Sequence, residues 1–357
     1  MDDTSATKPS PHSKTRQRAG KRPTAGQYLE YAITRALGLV LRHIPVDAAS
    51  AIGGAVLGTI MPLTSRNTRA MENMAFAMPE KSEAEIRALT KAMWHHLGRV
   101  FGEAFQIDRL TDDISRVELP ADFDHYKARV ADGAIAAALH LGNWEIAGSL
   151  PRKAGLEIAG VYQKLHNPMV EDYLRQMRES AYPKGLYSKG PELGHTLIQL
   201  ARKGAGVGIV ADFREKRGIG VNFFGHPAFA TPLPAMLARM AGKPLIVGAV
   251  VRTKGVHFRA MLEEVPVNVT DDRDRDIAEA TQALHDVYER WIRETPSQWM
   301  WTHRKWARSN RRELTVNTAS ASDGASVSIP PSAEIAPSAA DERPPATAAR
   351  QPAVHND

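Results

Sequence analysis

The sequence predicts an α/β protein with a layered, mostly parallel sheet flanked by helices. Short apolar runs of strand length recur from residue 134 onward, at residues 134–139, 156–162, 206–211, 244–251 and 256–262. Segments of helical length separate them, at residues 168–180, 191–203 and 232–241. Strands that alternate with helices are typical of a parallel sheet with helical crossovers, and the last run is interpreted as a partner of the run before it.

Further helices are predicted on both sides of this region. Ser82-Glu83-Ala84-Glu85 is a capping box, and apolar residues at helical spacing follow it to about residue 105. Near the end of the chain, Thr270 and the pair Asp271-Asp272 supply the polar, acidic start of a long helix. Its apolar stripe consists of Ile277, Ala280, Leu284, Val287 and Trp291.

Both ends of the chain lack a pattern that predicts a packed core. Residues 1–24 form a basic arm rich in Ser, Thr and Pro, and residues 312–357 form a tail rich in Ala, Pro and Ser. Such segments bury too little apolar surface to offset the entropy of ordering, so both are predicted to be disordered. We therefore expect an N-terminal helical region over residues 25–110 and the catalytic α/β domain over residues 111–311.

The N-terminal region carries two apolar stretches within residues 28–63, separated by Arg42-His43-Ile44-Pro45. A spanning helix needs roughly 20 apolar residues, and Asp47 and Pro62 interrupt the nearest candidate, residues 46–63. The two stretches are either a helical hairpin that dips into lipid or a helical pair packed on the domain. We expect a membrane-associated segment that lies in the interface or inserts shallowly.

Charge and cysteine content narrow the possible chemistry. The formal net charge is +6, which favours anionic partners such as nucleic acid, acidic headgroups or an acidic carrier protein. The chain has no cysteine, which excludes disulfides, thiolate metal sites and a cysteine nucleophile. No convincing metal-ligand cluster is present, and we expect neither metal nor cofactor.

The sharpest chemical signal is His140-Leu141-Gly142-Asn143-Trp144-Glu145. It lies between a predicted strand and a predicted helix, where the sites of open α/β sheets form. Gly142 permits a tight turn and Asn143 is suited to capping the helix. We expect Glu145 to fold back and hold one ring nitrogen of His140, which frees the other nitrogen to act as a general base. The simpler interpretation is a partly exposed histidine at the end of a strand.

Several blocks, in order, resemble the lipid A biosynthesis (lauroyl/myristoyl) acyltransferase family of the lysophospholipid-acyltransferase-like superfamily. The resemblance covers roughly residues 60–308, and its most specific part is the signature from Pro296 to Trp306, with three tryptophans at fixed spacing. The other blocks are His140 to Glu145, Arg69 to Phe76 with Pro79, Val161-Tyr162-Gln163 through Asn167-Pro168, and Asp212 with Gly220 to Gly225.

Two positions depart from the family pattern. Gln163 replaces the arginine that usually follows the tyrosine, and Phe213 replaces the glutamine that usually follows the aspartate. The usual arginine suits an anionic phosphate or a developing oxyanion, so its absence indicates a divergent branch with a different acyl length or acceptor. Lys164, Arg175 or Arg178 is the predicted source of the missing charge.

The resemblance implies a glycerolipid-acyltransferase-like fold and a reaction without an acyl-enzyme. His140, paired with Glu145, removes a proton from a hydroxyl of a lipid A precursor, and the alkoxide attacks the thioester of an acyl-carrier-protein donor. Backbone amides of residues 142–144, including Gly142 and Asn143, are expected to stabilise the oxyanion. The implied location is the cytoplasmic face of the inner membrane, with a lipid acceptor and no nucleic acid.

Other candidate substrate contacts follow from position in the motifs. Asp212 either faces the site or caps a turn, and Phe224 and Gly225 either line an acyl channel or end a core strand. Arg304 lies among Trp299, Trp301 and Trp306, a mixture that suits a membrane interface or a core-closing segment. We expect this segment to do both.

Rival functions remain. A glycerophospholipid acyltransferase shares the His-x4-acid motif but usually has Asp at the acidic position and lacks the tryptophan signature. An acyltransferase for phosphatidylinositol mannosides or another glycolipid shares the blocks and stays open. A basic, non-catalytic lipid- or nucleic-acid-binding protein would interleave aromatic and basic residues widely, which happens here in one C-terminal segment only.

Overall fold

A seven-stranded sheet forms the centre of the protein, as seen in a computed structural model that describes residues 23–190 and 192–306. The strands, in chain order, are β1 Val117–Glu118, β2 Ile135–Gly142, β3 Ile158–Tyr162, β4 Leu186–Ser188, β5 Gly206–Val210, β6 Arg214–Phe223, β7 His226–Ala230, β8 Leu245–Lys254 and β9 His257–Val265. The sheet order is β1-β9-β8-β2-β5-β3-β4, and β6 and β7 form a separate antiparallel hairpin. All neighbours in the large sheet are parallel except β8 and β9.

Helices surround the sheet and form the N-terminal region. They are α1 Ala25–His43, α2 Val46–Ile60, α3 Ser65–Ala77, α4 Glu83–Ala104, α5 Ile107–Asp112, α6 Phe123–Ala131, α7 Trp144–Lys153, α8 Pro168–Glu179, α9 Leu193–Arg202, α10 Leu233–Ala241 and α11 Arg273–Glu294. The predicted α/β class with a mostly parallel sheet is confirmed. The predicted disorder of residues 1–24 and 312–357 lies outside the described residues except at Pro23 and Thr24, and Thr24 caps α1 by accepting the N–H of Gln27.

Local sequence signals set the ends of the long helices. At α4, the Ser82 hydroxyl accepts the Glu85 N–H at 3.3 Å and the Glu85 carboxylate accepts the Ser82 N–H at 2.8 Å, so the predicted capping box is present. At α11, the Asp272 carboxylate accepts the N–H of Arg275 at 3.0 Å. Because these side chains satisfy otherwise unpaired amides, both helices begin within a residue or two of the expected positions.

The site lies where β2 turns into α7. Gly142 has a φ of +63°, and a Cβ there would overlap the carbonyl oxygen of Val250 on β8, so only glycine fits. The N–H of the next residue, Asn143, donates to this oxygen at 2.7 Å. Since β2 is the central strand of the sheet, the turn emerges at the middle of the carboxyl edge.

The N-terminal region contains the two helices predicted from residues 28–63. The pair packs on the domain, α1 against α8 and α2 against α4. Among the described residues, 46–63 are long and apolar enough to cross a membrane by length and composition, and 17% of this stretch is buried. The two helices leave large apolar side chains exposed, namely Tyr28, Leu29, Ile33, Leu37, Leu39, Val40, Ile52, Val56, Ile60 and, just beyond them, Leu63.

Candidate active site

The centre of the candidate site is a hydrogen-bonded pair of His140 and Asp212. His140 lies two residues before the end of β2, and Asp212 follows β5, the parallel neighbour of β2. The Nδ1 atom of His140 lies 2.8 Å from Oδ1 of Asp212, and the backbone N–H of His140 donates to Oδ2 at 3.0 Å. Because a carboxylate only accepts, Nδ1 carries the hydrogen, and Nε2 has a lone pair in the neutral form of the ring.

Asp212 is buried but well compensated. Its Oδ2 also accepts the indole N–H of Trp299 at 2.8 Å. Burial by itself disfavours the carboxylate, but the charge of His140 and the hydrogen bonds from His140 and Trp299 outweigh it. The pKa of Asp212 is therefore held well below its usual range, and this carboxylate stays ionised beside the imidazole.

The predicted hydrogen bond from Glu145 to His140 is not formed. Glu145 instead makes a two-point ion pair with Arg178 of α8, with Nε–Oε2 at 2.9 Å and Nη2–Oε1 at 2.5 Å. The physical reason is the direction of α7: Asn143 caps this helix, and the side chain of its second residue meets α8. Asp212, placed by the adjacent strand, takes the ring nitrogen that Glu145 was expected to hold.

Aromatic rings enclose the imidazole. Phe213 stacks on His140 with ring centroids 3.9 Å apart and planes at 4°, and Trp144 meets it edge-on at 5.1 Å. His303 lies 3.5 Å from Phe213 and 5.7 Å from His140, centroid to centroid. Burial and the charge of His140 lower the pKa of His303 to about 4, so His303 is neutral near pH 7. The departure from the family pattern at position 213 thus places a ring directly on the candidate base.

A polar cavity of about 340 Å³ opens beside His140. Glu145, Arg178 and Gln163 line it, as does Arg214 at the start of β6. The Nε atom of Arg214 is buried without a hydrogen-bond partner among the described residues. His140 lines the same cavity, and no hydrogen bond of its Nε2 is found among the residues that the structure describes.

An apolar cavity of about 130 Å³ adjoins the polar one. The two share five lining residues, Trp144, Val161, Tyr182, Ile209 and Val210. The apolar cavity lies between the sheet and helices α6 and α7, and small residues of the sheet leave the room for it, namely Ala136, Ala138, Gly208 and Gly248. A group transferred at His140 therefore has an apolar space next to it.

The other predicted contacts fall into two groups. Arg178 lines the polar cavity, whereas Arg175 binds Asp172 and Glu179 on its own helix and does not line it. Lys164 and Arg304 are exposed and do not line the cavity either. Of the predicted sources of the missing charge, only Arg178 thus reaches the cavity.

One of the expected oxyanion donors, the backbone amide of Asn143, is already occupied. The N–H of Asn143 binds Val250, while the N–H groups of Glu145 and Ile146 donate to the Asn143 side chain at 3.1 and 3.2 Å. Asn143 is thus the predicted helix cap but is buried and makes no cavity wall. The cavity offers two cationic donors for an oxyanion, Arg178 and Arg214.

Phe224 and Gly225 form the two-residue turn of the β6–β7 hairpin, with φ of +55° and +72°. Phe224 is buried against Trp301 and Trp306, at centroid distances of 5.6 and 6.3 Å. The acyl-channel interpretation of these two residues is therefore wrong for both described cavities, and the packing interpretation holds.

The C-terminal signature closes the core behind the site. Trp299, Trp301 and Trp306 are at most 2% exposed, so the expected contact of these tryptophans with a membrane interface is wrong. Met300 N–H donates to the carbonyl of His140 at 3.2 Å. The buried ammonium of Lys305 donates to the backbone carbonyl of Asp212 at 2.8 Å. This segment therefore binds the backbone of both members of the His140–Asp212 pair.

This arrangement, a base on a buried carboxylate at the carboxyl edge of a parallel sheet with a polar and an apolar cavity, fits a group-transfer enzyme with an amphipathic substrate. The chain belongs to the bacterial lipid A biosynthesis acyltransferase family, whose model matches residues 20–308. The family resemblance is thereby confirmed, and with it an acyltransferase that needs an acyl donor and a lipid acceptor. Comparison with curated proteins gave no match.

Proposed function

We propose that this protein is an O-acyltransferase that moves a fatty-acyl chain from an acyl-carrier-protein thioester to a hydroxyl of a lipid A precursor. The observation that carries the proposal is the His140–Asp212 pair at 2.8 Å, with His140 in the wall of the polar cavity. This is the base and orienting group of a triad whose nucleophile comes from the acceptor.

The reaction follows from this geometry. Asp212 keeps the hydrogen on Nδ1, and Nε2 of His140 removes the proton of the acceptor hydroxyl. The alkoxide oxygen attacks the thioester carbonyl, and a C–O bond forms as the carbonyl becomes an oxyanion. When this intermediate collapses, the C–S bond breaks and the leaving thiolate takes the proton from His140. No residue of the protein is acylated, which agrees with a chain that has no cysteine.

Glu145 has a different task in this proposal from the one expected from its spacing. Its two-point ion pair holds the Arg178 guanidinium at the cavity wall. Arg178 and Arg214 then present positive charge to the developing oxyanion or to a substrate phosphate. The unpartnered, buried Nε of Arg214 favours such an acceptor, because an unpaired charged donor is costly to bury.

The apolar cavity is the proposed site of the acyl chain. It adjoins the polar cavity at Trp144 and Tyr182, so a thioester carbonyl near His140 places its hydrocarbon between the sheet and α6. Burial of a methylene group there contributes about 0.8 kcal/mol. The family-typical membrane association fits the exposed apolar faces of α1 and α2, and we place the catalytic domain on the cytoplasmic face of the inner membrane.

One observation favours a second acceptor. Gln163 lines the polar cavity where the family usually places an arginine, and this removes one cation near the acceptor. Acylation of another glycolipid or of a glycerophospholipid is the alternative for this reason.

The test is acyl transfer by the wild type and by His140→Ala, with an acyl-carrier-protein thioester and a lipid A precursor, followed by mass spectrometry. Loss of a general base typically lowers the rate by about 10²–10⁴-fold. The wild type should add one acyl chain, and the variant should retain its fold by circular dichroism but lose transfer. Full activity of His140→Ala would exclude His140 as the general base. If the wild type consumes the thioester and His140→Ala does not, but no acylated lipid forms, the role of His140 is retained and the lipid A precursor is excluded as the acceptor.

A further inference from the structure

A buried carboxylate outside the reaction cavity joins two parts of the molecule. Glu103, near the end of α4, is 0% exposed. Its Oε1 accepts the hydroxyl of Ser50 on α2 at 2.5 Å. Its Oε2 accepts the side-chain amide of Asn143 at 2.7 Å and the guanidinium of Arg252 at 2.7 Å. One side chain therefore contacts α2, β8 and the turn that follows His140.

On the α2 side, the contact is reinforced by a seam of glycines. A Cβ on Gly98 of α4 would overlap the backbone of Gly53 on α2, and a Cβ on Gly102 would overlap the carbonyl of Ala49. Close backbone approach of this kind leaves little freedom for one helix to slide on the other. A displacement of α2 is therefore passed to α4 and to Glu103.

On the catalytic side, the contact reaches the turn at two points. The Asn143 side chain that donates to Glu103 also accepts the N–H groups of Glu145 and Ile146. Two turns earlier on α4, Nε2 of His96 lies 3.0 Å from the carbonyl of Gly142. Burial lowers the pKa of His96 to about 3, so the neutral ring donates to that carbonyl. Helix α4 thus holds Gly142 and Asn143, the two residues that directly precede Trp144.

The other face of α2 has no protein cover among the described residues at Ile52, Val56 and Ile60, which are 45–55% exposed. A lipid surface is the occupant that the proposed function supplies. The apolar side chains of α1 continue this surface.

We infer that Glu103 is a positioning residue that couples the seating of α2 on a lipid surface to the geometry of the catalytic turn. Ser50 transmits the position of α2 to one oxygen of Glu103, and Asn143 transmits the position of the other oxygen to the cap of α7. The acceptor is presented from the membrane, so this link aligns His140 with it. The lipid surface in this inference rests on the proposed function, whereas the contacts of Glu103 are independent of it.

The first experiment measures hydrogen exchange by mass spectrometry on the full chain, with and without vesicles of phosphatidylethanolamine and phosphatidylglycerol. The reporter is the peptide that contains the amides of residues 143–147, whose protection depends on the Asn143 cap. Vesicles should slow exchange there in the wild type. Ser50→Ala should bind vesicles equally and lose this slowing, whereas Thr59→Ala, an exposed hydroxyl deletion on the same helix, should behave like the wild type. The coupling is overturned if vesicles slow exchange equally in Ser50→Ala and the wild type, or if the wild type binds vesicles without slower exchange. If the wild type does not bind vesicles, the proposed lipid surface is overturned.

The second experiment separates positioning from mere support. Serine is a good helix cap but lacks the amide that donates to Glu103, so Asn143→Ser keeps α7 and removes the link. We expect kcat to fall about 10-fold or more with KM unchanged, since small misplacement of reacting groups is costly. Glu103→Gln should then cost much less in the Asn143→Ser background than in the wild type. If the losses in kcat of the two substitutions are additive, the coupling does not run through Asn143. The hydrogen-exchange experiment needs no acyl acceptor, so its result is independent of the proposed acceptor.

Discussion

At the scale of single residues, chemistry here depends on which carboxylate reaches the imidazole. Glu145 is five positions from His140 in sequence, yet its carboxylate binds Arg178. Asp212 is remote in sequence, yet it lies 2.8 Å from Nδ1 because β5 follows β2 in the order of the sheet. The partner of His140 is therefore set by the neighbouring parallel strand and not by the spacing of residues along the chain.

The substitution Asp212→Asn should lower kcat by about 10²–10⁴-fold, because the amide no longer fixes the Nδ1 hydrogen or stabilises the imidazolium. Glu145→Gln leaves the His140–Asp212 hydrogen bond in place and weakens the hold on Arg178. It should lower kcat less. Steady-state kinetics with one donor and acceptor compares them, and thermal unfolding checks the fold. A larger loss in Glu145→Gln, with Asp212→Asn near wild type, would assign the partnership to Glu145 instead.

The buried Lys305 gives a prediction about pH. Burial lowers its pKa from 10.5 to about 8, so between these pH values the unfolded chain binds the proton that the folded chain has lost. The free energy of unfolding contributed by this residue therefore rises as pH increases from about 8 towards 10.5, and it is lowest below that window.

Lys305→Met removes this titration. The stability of the wild type relative to the variant should increase when urea unfolding is measured at about pH 10 instead of about pH 8. Other titrating groups are common to both proteins and cancel in the difference. A difference in stability that is independent of pH would show that Lys305 titrates at its ordinary value in the folded protein.

At the scale of elements, the sequence predicted what is encoded locally. The capping box at Ser82, the acidic start at Asp272 and the apolar runs of the sheet each gave an element within a few residues of its observed bounds. One local element that it missed is the β6–β7 hairpin, whose polar and basic first half has no apolar run. It also missed the contacts between elements. The partner of His140 required the strand order, and the burial of the C-terminal tryptophans required knowing that Trp299 bridges to Leu141 at the end of β2.

Strand β5 also provides a test of the acyl site. Gly208 lines the apolar cavity, and a Cβ there would meet its nearest atom, the carbonyl oxygen of Ala159, at an ordinary 3.7 Å. Gly208→Leu should therefore fold, extend into the cavity and shift preference towards shorter acyl donors. The measurement is kcat/KM across a series of chain lengths. Gly220→Leu, at an exposed position of β6 with open space around its Cβ, is the matched control. An unchanged chain-length profile in Gly208→Leu would place the hydrocarbon elsewhere.

At the scale of the whole molecule, a polar reaction site and an apolar exterior belong to one chain. The reaction cavity lies at the carboxyl edge of the sheet, while α1 and α2 carry the large apolar side chains that the fold leaves uncovered. Both α4 and α8 contact this helical pair, and α8 also supplies Arg178 to the cavity. The exposed apolar surface of α1 and α2 and the candidate active site are thus connected through packed helices instead of through a linker.

This arrangement predicts that vesicle binding depends on the exposed face of α1. Ile33 and Leu37 are 59% and 50% exposed, and burial of one such side chain in lipid is worth about 1.5–3 kcal/mol. Replacing both with serine should lower vesicle affinity at least about 10-fold per residue. Val269→Ser is the control, since Val269 is 71% exposed in the loop before α11, and it should bind as the wild type does. Co-sedimentation with vesicles measures the affinity, and thermal unfolding should be unchanged because neither α1 side chain is buried in the protein. Equal losses in the control and the α1 variant would mean that α1 has no special part in the lipid contact, and retention of full affinity by the α1 variant would move the membrane surface away from this helix.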